Sequence, residues 1–511
     1  MTTPMIVTNS DDYQEIRILK IGNVTKQDAV LEIKRIMSAL TKVFTDEIRK
    51  IEETHWAEMV SKPYRLTHHL MPPCGWLNDP NGLSWYQGRY HVFFQYSPFE
   101  ANGGLKFWGH YSSEDLINWT YEGVSLYPDS PADCHGVYSG SALAEEETLH
   151  LFYTGNVKLD GDYDYINNGR CANTLHVESK DGIEFGIKEN VIPCTQYPED
   201  YTCHIRDPKV WKEGDRYRMV LGGRRKDDHG AVLLYSSRDL KQWNLDGELT
   251  TEEKFGYMWE CPDMFELSGN EILSVSPQGV EREEYRYQNI YLSGYFILRD
   301  GKVFKEDFRE WDMGFDFYAP QTFVDKKGRR ILIGWMGMPD AEEEYVNNTL
   351  EEGWQHCLTV PRELKYCNGK VYQYPVEELM NLRRWKKKLC DADRETETDG
   401  AFDLELQVQK GPAKVVLADI FKLEYRDGIL VLEMDQQAGA GRRTRKACIE
   451  ELRSIRILAD TSAAEIYVNE GEVVFSVRFY GKGTKHRLKI EAEGFRGGIW
   501  KLEKMSITRC L

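Results

Sequence analysis

The sequence predicts an all-β protein in which a β-propeller is followed by a β-sandwich and preceded by a short helical extension. From about residue 63, short runs rich in Val, Ile, Tyr, Phe and Trp alternate with Gly, Asn and Asp turns, and helix-length amphipathic segments are scarce. One hairpin pattern recurs along this region. A second set of alternating strands follows a charged stretch near residue 390.

The N-terminal extension, residues 1–62, contains a predicted helix from residue 25 to about residue 60. Its apolar residues recur every three or four positions, the spacing of a single stripe on an α-helix; they are Val30, Ile33, Met37, Leu40, Phe44, Ile48 and Ile51. We expect this helix to dock on the main domain or on a partner subunit, so a homo-oligomer is one assembly that it could support.

Residues 63–382 predict the propeller. The pattern Ser-x-Asp-x-x-x-aromatic begins at Ser113, Ser179 and Ser237, at intervals of 66 and 58 residues. A hairpin closed by an aromatic side chain and repeated on that scale is typical of propeller blades. Three copies are visible, and the pattern alone leaves the number of blades open.

The last third of the chain predicts a linker and a second domain. The stretch "RRWKKKLCDADRETETDG", residues 383–400, interrupts the β pattern with charges and predicts a linker. Residues 401–511 return to alternating strands, as in a β-sandwich. Few clustered catalytic residue types occur there, so we expect this domain to be structural.

Composition excludes several classes of function. The formal net charge of −18 disfavours a nucleic-acid partner, because phosphate binding needs a basic surface. The 11 Cys are scattered without a C-x-x-C pair, which disfavours a zinc site and fits reduced thiols in a cytoplasm. Neither a signal-peptide pattern nor a membrane-spanning apolar run is visible, so no membrane partner is expected. His68-His69 and Cys203-His204 lack metal-ligand spacing, so no metal is expected either.

Three acids stand out because a proline follows each within an apolar β segment, directly after the two aspartates and two residues after the glutamate. They are Asp79 in "WLNDPNG", Asp207 in "HIRDPKVW" and Glu260 in "MWECPDMF". Proline restricts the residue before it and fixes the local chain direction. The acids lie 128 and 53 residues apart and therefore belong to different repeat units. Because the innermost strands of a propeller converge on a central channel, we expect the three acids to meet there.

A pocket with three carboxylates suits glycoside hydrolysis, in which one carboxylate attacks and another carboxyl donates a proton. The residues themselves leave two interpretations open: a hydrolase, or a sugar-binding propeller whose acids only accept hydrogen bonds. A further motif, "GGRRKDDHG", places Arg224 and Arg225 in a turn. These arginines could bind the phosphate of a phosphorylated sugar, or they could belong to a solvated hairpin tip.

These motifs resemble those of glycoside hydrolase family 32, which comprises invertases, levanases and sucrose-6-phosphate hydrolases. "GWLNDPNG" resembles the family's Trp-Met-Asn-Asp-Pro-Asn-Gly block, with Leu77 in place of Met, and "RDPKVW" and "WECPD" resemble its other two signatures. Further matches follow in the family's order: "FFQYSP", "FWGH", "YSGSA", "DFYAPQ", "GWM" and "VPREL". The resemblance covers roughly residues 65–511.

The resemblance implies a five-bladed β-propeller joined to a C-terminal β-sandwich, and a retaining mechanism without cofactor or metal. It implies that Asp79 is the nucleophile, that Glu260 is the acid/base and that Asp207 stabilises the transition state. The implied fructose-binding residues are Asn78, Gln95, Trp108, Tyr138, Ser139, Arg206, Asp316, Tyr318 and Trp335, and Tyr138 stands where the family often has Phe.

The implied substrate is a small fructoside: sucrose, sucrose 6-phosphate or a short fructo-oligosaccharide. Two alternatives belong to other classes. One is an inactive homologue that binds fructosides as a sensor or lectin, and the other is a fructosyltransferase.

Overall fold

The computed structural model describes residues 26–59, 61–409, 411–483 and 485–510. One α-helix, α1, spans Lys26–Met59. Four short 3₁₀ helices span Cys194–Gln196, Lys305–Asp307, Asn348–Glu352 and Glu377–Leu382. The rest of the regular structure in these residues is β-strand. No helix among them combines the length and the apolar character needed to cross a bilayer.

The first 22 strands form five sheets in succession, which are the blades of the propeller. The first blade contains β1 (Gly75–Tyr86), β2 (Arg89–Ser97), β3 (Phe107–Ser113) and β4 (Asn118–Leu126). The second contains β5 (Val137–Glu145), β6 (Thr148–Lys158), β7 (Arg170–Ser179) and β8 (Glu189–Ile192). The third contains β9 (Tyr201–Glu213), β10 (Arg216–Arg225), β11 (Gly230–Ser237) and β12 (Trp243–Leu249).

The fourth blade contains β13 (Met258–Leu267), β14 (Asn270–Gln278), β15 (Gly294–Ile297) and β16 (Arg309–Glu310). The fifth contains β17 (Tyr318–Val324), β18 (Arg330–Met336), β20 (Cys357–Leu358), β21 (Arg362–Cys367) and β22 (Lys370–Pro375). Between its strands, the short β19 (Trp354–Gln355) crosses to the first blade and pairs with β1 in parallel, with Gly75 opposite Trp354. This pairing links the last blade to the first, so the all-β propeller predicted from the sequence is confirmed.

The repeated hairpin is the turn that follows the third strand of the first three blades. In the first copy, Asp115 Oδ1 accepts from the backbone N–H groups of Ile117 and Asn118 at 3.0 and 2.8 Å. The indole N–H of Trp119 then donates to Leu116 O at 3.0 Å. Asp181 and Asp239 organise the same turn in the next two blades. The fourth and fifth blades close their outer strands without this motif, which explains why only three copies are visible.

Strands β23 to β34 form the β-sandwich, in two six-stranded sheets. One sheet has the order β23-β34-β25-β30-β31-β32 and the other β24-β33-β26-β27-β28-β29. The strands span Arg383–Cys390, Glu395–Asp399, Phe402–Val408, Ala413–Leu417, Phe421–Arg426, Ile429–Met434, Thr444–Cys448, Ser454–Ala459, Ala463–Val468, Val473–Arg478, Lys485–Ala492 and Phe495–Leu502. A final strand, β35 (Ser506–Arg509), returns to the propeller and pairs in parallel with β4.

The segment 383–400, which the sequence assigns to a linker, contains the first strand of each sandwich sheet. Strand β23 pairs with β34 along its whole length, and β24 pairs with β33. Both are edge strands, whose exposed faces commonly carry charge. The charged groups of Arg383 and Lys386 lie over the Trp500 ring, at 4.0 and 4.5 Å from its centroid, and Arg383 also pairs with Asp403. The many charged residues explain why the sequence predicts a linker at 383–400 where the structure has strands.

Helix α1 docks on the first blade. The ring of Phe44 packs edge-on against Phe107, with centroids 5.2 Å apart. Glu52, although only 3% exposed, accepts a hydrogen bond from Tyr121 at 2.6 Å and pairs with Arg509 of β35 at 2.9 Å. Of the predicted stripe, Ile48 is buried and Phe44 packs on the core, whereas Leu40 is exposed. The side chains of Val30, Ile33 and Met37 lie outside the described residues.

Buried charges join the propeller to the sandwich. Arg362 of β21 is fully buried and pairs with Glu465 of β31. Glu465 also accepts from His69 Nε2 at 3.0 Å, and His69 Nδ1 bonds Asp460 at 2.9 Å. These contacts leave no lone buried charge among the four residues, and such an arrangement fixes the relative position of two domains more specifically than apolar packing alone.

Candidate active site

A bulge interrupts the innermost strand of every blade at the same point. The register shifts lie at residues 77–80, 137–140, 206–209, 260–263 and 318–321. A bulge leaves residues unpaired and turns their side chains out of the ladder. Because the five strands surround one channel, the bulges bring side chains from all five blades to one place.

Each bulge contributes one residue to the site: Asp79 and Ser139 are the second unpaired residue of their bulges, and Asp207, Cys261 and Ala319 are the first. Proline follows four of them, and Gly140 follows Ser139. Proline lacks the N–H that an unbroken ladder would use, so it is tolerated where pairing is already interrupted. Three of the five have a left-handed backbone, with φ of 63° at Asp207, 47° at Cys261 and 49° at Ala319. Such strain is uncommon for residues other than glycine and clusters at functional sites.

Two short side chains hold the carboxylate of Asp79. The Ser139 hydroxyl donates to Asp79 Oδ2, and the Asn78 amide donates to Asp79 Oδ1 at 3.1 Å. A second layer orients these donors. Gln95 donates to Ser139 Oγ at 2.6 Å and accepts from Asn78 at 2.7 Å, and Trp76 donates to Asn78 Oδ1 at 2.9 Å. The network places Asp79 in one fixed orientation.

Asp207 is held by the neighbouring bulge. Its Oδ2 accepts from the backbone N–H of Cys261 at 2.9 Å, and its own N–H donates to Thr154 Oγ1 at 2.8 Å. No described residue donates a hydrogen bond to Oδ1, which is therefore available to a ligand. Burial and the nearby charge of Glu260 raise the pKa of Asp207 to about 7, against the effect of Arg206. Asp207 is only 4% exposed.

Glu260 has a polar partner on each side. Tyr318 and Gln278 both donate to Oε2, at 2.9 and 2.8 Å. Arg206 Nη1 lies 3.4 Å from Oε1. Burial raises the pKa of Glu260, and Arg206 and Tyr318 reduce that rise. A carboxyl in this setting can hold a proton and release it to a bound molecule, as a general acid requires.

The Cys261 thiol lies between the two aspartates. Its Sγ is 3.7 Å from Asp79 Oδ2 and 3.6 Å from Asp207 Oδ2. In addition to burial, the charges of Glu260 and Asp79 both raise the pKa of Asp207, and that of Asp79 raises the pKa of Glu260, so the three acids predicted from the sequence lie near one another. The sulfur has no counterpart in the sequence prediction, although "ECPD" contains the same residue-before-proline signal as the two Asp-Pro motifs.

Aromatic rings form one wall of the site. Trp335 lies 6.0 Å from Trp76 and 6.2 Å from Tyr318, between ring centroids. A Cβ at Gly337 would lie 2.2 Å from the Trp335 indole nitrogen, so only glycine allows this ring position. The indole N–H of Trp335 has no hydrogen-bond partner among the described residues. It is therefore a donor that a ligand could use.

Two predicted pocket residues have other roles in the structure. Trp108 is fully buried and donates to the carbonyl of Tyr138 at 3.1 Å, so it supports the Tyr138 backbone and does not reach a ligand. Asp316 lines a cavity of about 80 Å³, but both of its oxygens are already bound by Arg442, at 2.8 and 2.6 Å. It also accepts from the Arg478 N–H at 2.8 Å. Asp316 thus belongs to the contact with the sandwich.

The predicted arginine pair has carboxylate partners. Arg224 makes two hydrogen bonds to Asp228, at 2.9 and 2.7 Å, and lies over the Tyr257 ring. Arg225 pairs with Glu248 and also lies 3.7 Å from Asp200. Each guanidinium is already neutralised by the chain, so the phosphate role proposed for them from the sequence is not supported.

Two groups of side chains have the spacing of metal ligands: His68, His69 and Asp460, and His150, His176 and Glu178. In the first, both ring nitrogens of His69 are already hydrogen-bonded to carboxylates of the sandwich. In the second, His150 bonds His176 at 3.0 Å. The equivalent pair His91 and His110 in the first blade has the same distance. Both groups therefore have a structural explanation, the second as a packing pair repeated between blades.

Several site residues were not predicted from the sequence. Cys261 and Trp76 contact the acids or their partners, and Gln278 reaches Glu260 from β14. Gln278 has no distinguishing sequence signal, because only the fold places β14 beside β13. Ser139 and Tyr318 were predicted from the resemblance. In the structure each lies at a bulge, Ser139 before a glycine and Tyr318 before Ala-Pro, and this position explains why their side chains reach the site.

Comparison with known proteins agrees with this geometry. Residues 69–375 match the Glycosyl hydrolases family 32 N-terminal domain, and residues 433–508 match the family 32 C-terminal domain. Among curated relatives, the sucrose-6-phosphate hydrolase of Bacillus subtilis is 39% identical, over 89% of this chain and 98% of that protein. The sucrose-6-phosphate hydrolase of Salmonella typhimurium is 38% identical, over 87% and 93%.

Solved structures show the same architecture. The sucrose-6-phosphate hydrolase of Lactobacillus gasseri has a TM-score of 0.82 and 29% identity, covering 89% of this chain and 97% of that one. A family 32 β-fructofuranosidase from Bombyx mori has a TM-score of 0.78 and 30% identity, covering 91% and 99%. With both family domains matched in order and relatives similar over nearly their whole length, this chain belongs to glycoside hydrolase family 32.

Proposed function

We propose that this chain is a retaining β-fructofuranosidase that uses Asp79 as nucleophile, Glu260 as acid/base and Asp207 to stabilise the transition state. One observation carries the proposal: three blades bring three carboxyl groups around Cys261, and each group has a different set of partners. Different environments allow chemically similar groups to take different roles. A solved complex of a mutant Bombyx mori relative with sucrose supports a small fructoside as ligand.

In the first step, an oxygen of Asp79 attacks C2 of the fructosyl unit and the bond from C2 to the leaving oxygen breaks. Ser139 and Asn78 hold the attacking carboxylate in place. Glu260 gives its proton to the leaving oxygen. Because Tyr318 and Gln278 both donate to Oε2, Oε1 is the oxygen that carries this proton.

In the second step, Glu260 takes a proton from water, and the water oxygen attacks C2 and releases Asp79. During both steps positive charge develops at C2 and the ring oxygen. Asp207 faces the same point with an unpartnered Oδ1, which suits it to hold ring hydroxyls as that charge develops. Its left-handed backbone fixes where that oxygen lies.

The substrates we propose are sucrose, sucrose 6-phosphate and short fructo-oligosaccharides. The names of several relatives make sucrose 6-phosphate the first to test. We propose a cytoplasmic location, since a phosphorylated sugar occurs inside cells. The eleven cysteines are all free of disulfides, which agrees with a reducing compartment.

The test is hydrolysis of sucrose by the purified chain and by Asp79→Asn and Glu260→Gln. Each substitution keeps the shape of the side chain and removes its carboxyl chemistry, so kcat should fall about 10³-fold or more. Circular dichroism and the thermal midpoint serve as folding controls. Near-normal turnover by folded Asp79→Asn would refute the nucleophile assignment, and a wild-type chain that binds sucrose without cleaving it would favour a sensor or lectin.

A second measurement separates hydrolysis from fructosyl transfer. Hydrolysis releases glucose and fructose in equal amounts, whereas transfer to sucrose leaves free fructose below glucose. We expect equal amounts at low sucrose concentration. Early release of the β-anomer of fructose, followed by NMR, would support retention, and early release of the α-anomer would contradict it.

A further inference from the structure

We infer that Arg170 and Lys158 form the phosphate-binding part of the leaving-sugar site, so that this enzyme selects a substrate phosphorylated on its leaving sugar. The inference rests on the proposed function. Arg224 and Arg225 have their own carboxylates, whereas no carboxylate of the described residues pairs with Arg170 or Lys158.

The leaving sugar must lie on the Glu260 side of the pocket, because Glu260 protonates the oxygen that departs. From Glu260, a chain of polar contacts leads outward along the second and third blades. Arg206 lies 3.4 Å from Glu260, and its other amino group contacts His204 Nδ1. His204 Nε2 in turn lies 3.4 Å from Arg170 Nη1. Arg170 therefore lies beyond Arg206, where the far end of a leaving sugar would be.

The tautomer of His204 leaves Arg170 without a good acceptor. His204 Nε2 lies 3.2 Å from the carbonyl of Tyr165, which can only accept, so Nε2 carries the hydrogen. Nδ1 is then the acceptor for Arg206. Burial, together with the charges of Arg206 and Arg170, lowers the pKa of His204 to about 2, so the ring stays neutral. Arg170 Nη1 thus faces an N–H group and gains no hydrogen bond from this contact.

Arg170 has no carboxylate partner among the described residues. Its Nε is buried without a hydrogen bond, and so is the Nε of Arg206. Burial and the charge of Arg206 lower the pKa of Arg170. Arginine in this state is suited to bidentate binding of an anion such as phosphate.

Lys158 adds a second uncompensated charge. It stands directly opposite Arg170 in the pairing of β6 and β7, and like charges at opposed positions destabilise a sheet. Its ammonium lies over the ring of Tyr165, at 5.3 Å from the centroid. The two cations together carry a charge of about +2, which matches the charge of about −1.5 to −2 on a phosphate monoester.

The other charged residues nearby do not neutralise Arg170 or Lys158. The loop that joins β6 to β7 carries Asp160, Asp162 and Asp164, but none of them forms an ion pair with Arg170 or Lys158, and Asp164 binds backbone N–H groups of its own loop. Lys106 is another cation of the site, but it lies over Trp76, beside Asp79 and away from the leaving sugar. The Arg170 and Lys158 pair is therefore the cation pair that fits the leaving group.

The experiment compares kcat/KM for sucrose 6-phosphate and for sucrose, in the wild type and in Arg170→Gln, Lys158→Gln and Arg224→Gln. We expect the wild type to prefer the phosphorylated sugar. The ratio of the two kcat/KM values should fall about 10- to 100-fold in Arg170→Gln, because a hydrogen bond to a charged group is lost. Lys158→Gln should cause a smaller fall. Arg224→Gln removes the same charge at a paired position and should leave the ratio unchanged.

Product inhibition gives a second readout that does not depend on turnover of the phosphorylated substrate. Glucose 6-phosphate should inhibit sucrose hydrolysis by the wild type more strongly than glucose does, and Arg170→Gln should remove this difference. Inorganic phosphate tests whether the site binds a free anion. If phosphate inhibited sucrose hydrolysis at concentrations similar to those of glucose 6-phosphate, the sugar would contribute nothing to binding, which would contradict a leaving-sugar site.

The outcomes are distinguishable. If the wild type cleaves neither sugar, the proposed function fails. If it cleaves sucrose without preferring the phosphorylated form, or if the preference survives both Arg170→Gln and Lys158→Gln, only this inference is overturned. If Arg224→Gln lowered the ratio of the two kcat/KM values as much as Arg170→Gln, the inference would also be overturned, because the effect would then come from the loss of any positive charge.

Discussion

The backbone N–H of Cys261 donates to Asp207 Oδ2 across 2.9 Å, and both residues have a left-handed backbone. Each strained residue thus fixes the other: the bulge of the fourth blade positions the carboxylate of the third. Strain of this kind costs of order 1–3 kcal/mol for each residue. It persists here because the Asp207 N–H is also bound, by Thr154 of the second blade.

The contact between Tyr318 and Glu260 should set the alkaline limit of activity. Glu260 must be protonated to act as the acid, and the Tyr318 hydroxyl favours its ionised form. Tyr318→Phe removes this donor, so the pKa of Glu260 rises and the alkaline limb of kcat/KM for sucrose should move about one unit to higher pH.

The matched control is Tyr291→Phe, because the Tyr291 hydroxyl bonds Asp340. That variant should leave the alkaline limb in place. A limb that moves to lower pH in Tyr318→Phe would contradict the assignment of Glu260 as the acid.

Cys261 should be unreactive despite its position in the site. Burial and the charges of Asp207 and Asp79 raise the pKa of its thiol well above the usual value, so almost no thiolate forms. Iodoacetamide at pH 8 should modify exposed cysteines such as Cys367 and Cys448 first. Peptide mass spectrometry gives the order, and alkylation of Cys261 as fast as of these two would contradict the prediction.

His69 should make stability depend on pH between about 6.5 and 9. Burial alone would lower the pKa of His69, but the hydrogen bonds that its ring donates to Asp460 and Glu465 raise that pKa to about 9. A raised pKa contributes stability that is complete below about pH 6.5 and is lost as pH rises through about 9. The contribution is about 3 kcal/mol at most.

Urea unfolding of the wild type and of His69→Gln at several pH values measures this contribution. The difference between the two proteins should shrink as pH rises from 6.5 to 9. Parallel curves would show that His69 does not gain a proton on folding.

Asp316 should matter for stability and not for substrate affinity. Asp316→Asn would leave the buried charge of Arg442 without its partner, at a cost of about 3–5 kcal/mol in the free energy of unfolding. The KM for sucrose should stay unchanged. If Asp316→Asn raised the KM for sucrose and left urea unfolding unaltered, Asp316 would instead be a substrate-binding residue.

Local patterns in the sequence are enough to predict the class of fold and the three candidate acids. Alternation of apolar and polar residues and repeated hairpin turns are local signals. The proline that directly follows Asp79 and Asp207 is a local signal too. Residues 383–400 contain two charged edge strands, and the sequence predicts a linker there because a strand with one exposed face can carry many charges. Local pattern does not distinguish such a strand from a linker.

Which side chains meet depends on the tertiary structure. It aligned the bulges of five blades, brought Gln278 and Cys261 to the acids, and gave Arg224 and Asp316 partners elsewhere. Among the residues that the structure describes, it left the buried Nε of Arg170 without a hydrogen-bond partner. Whether a charge is paired depends on contacts between strands far apart in sequence, so no local pattern could separate the neutralised arginines from the uncompensated one.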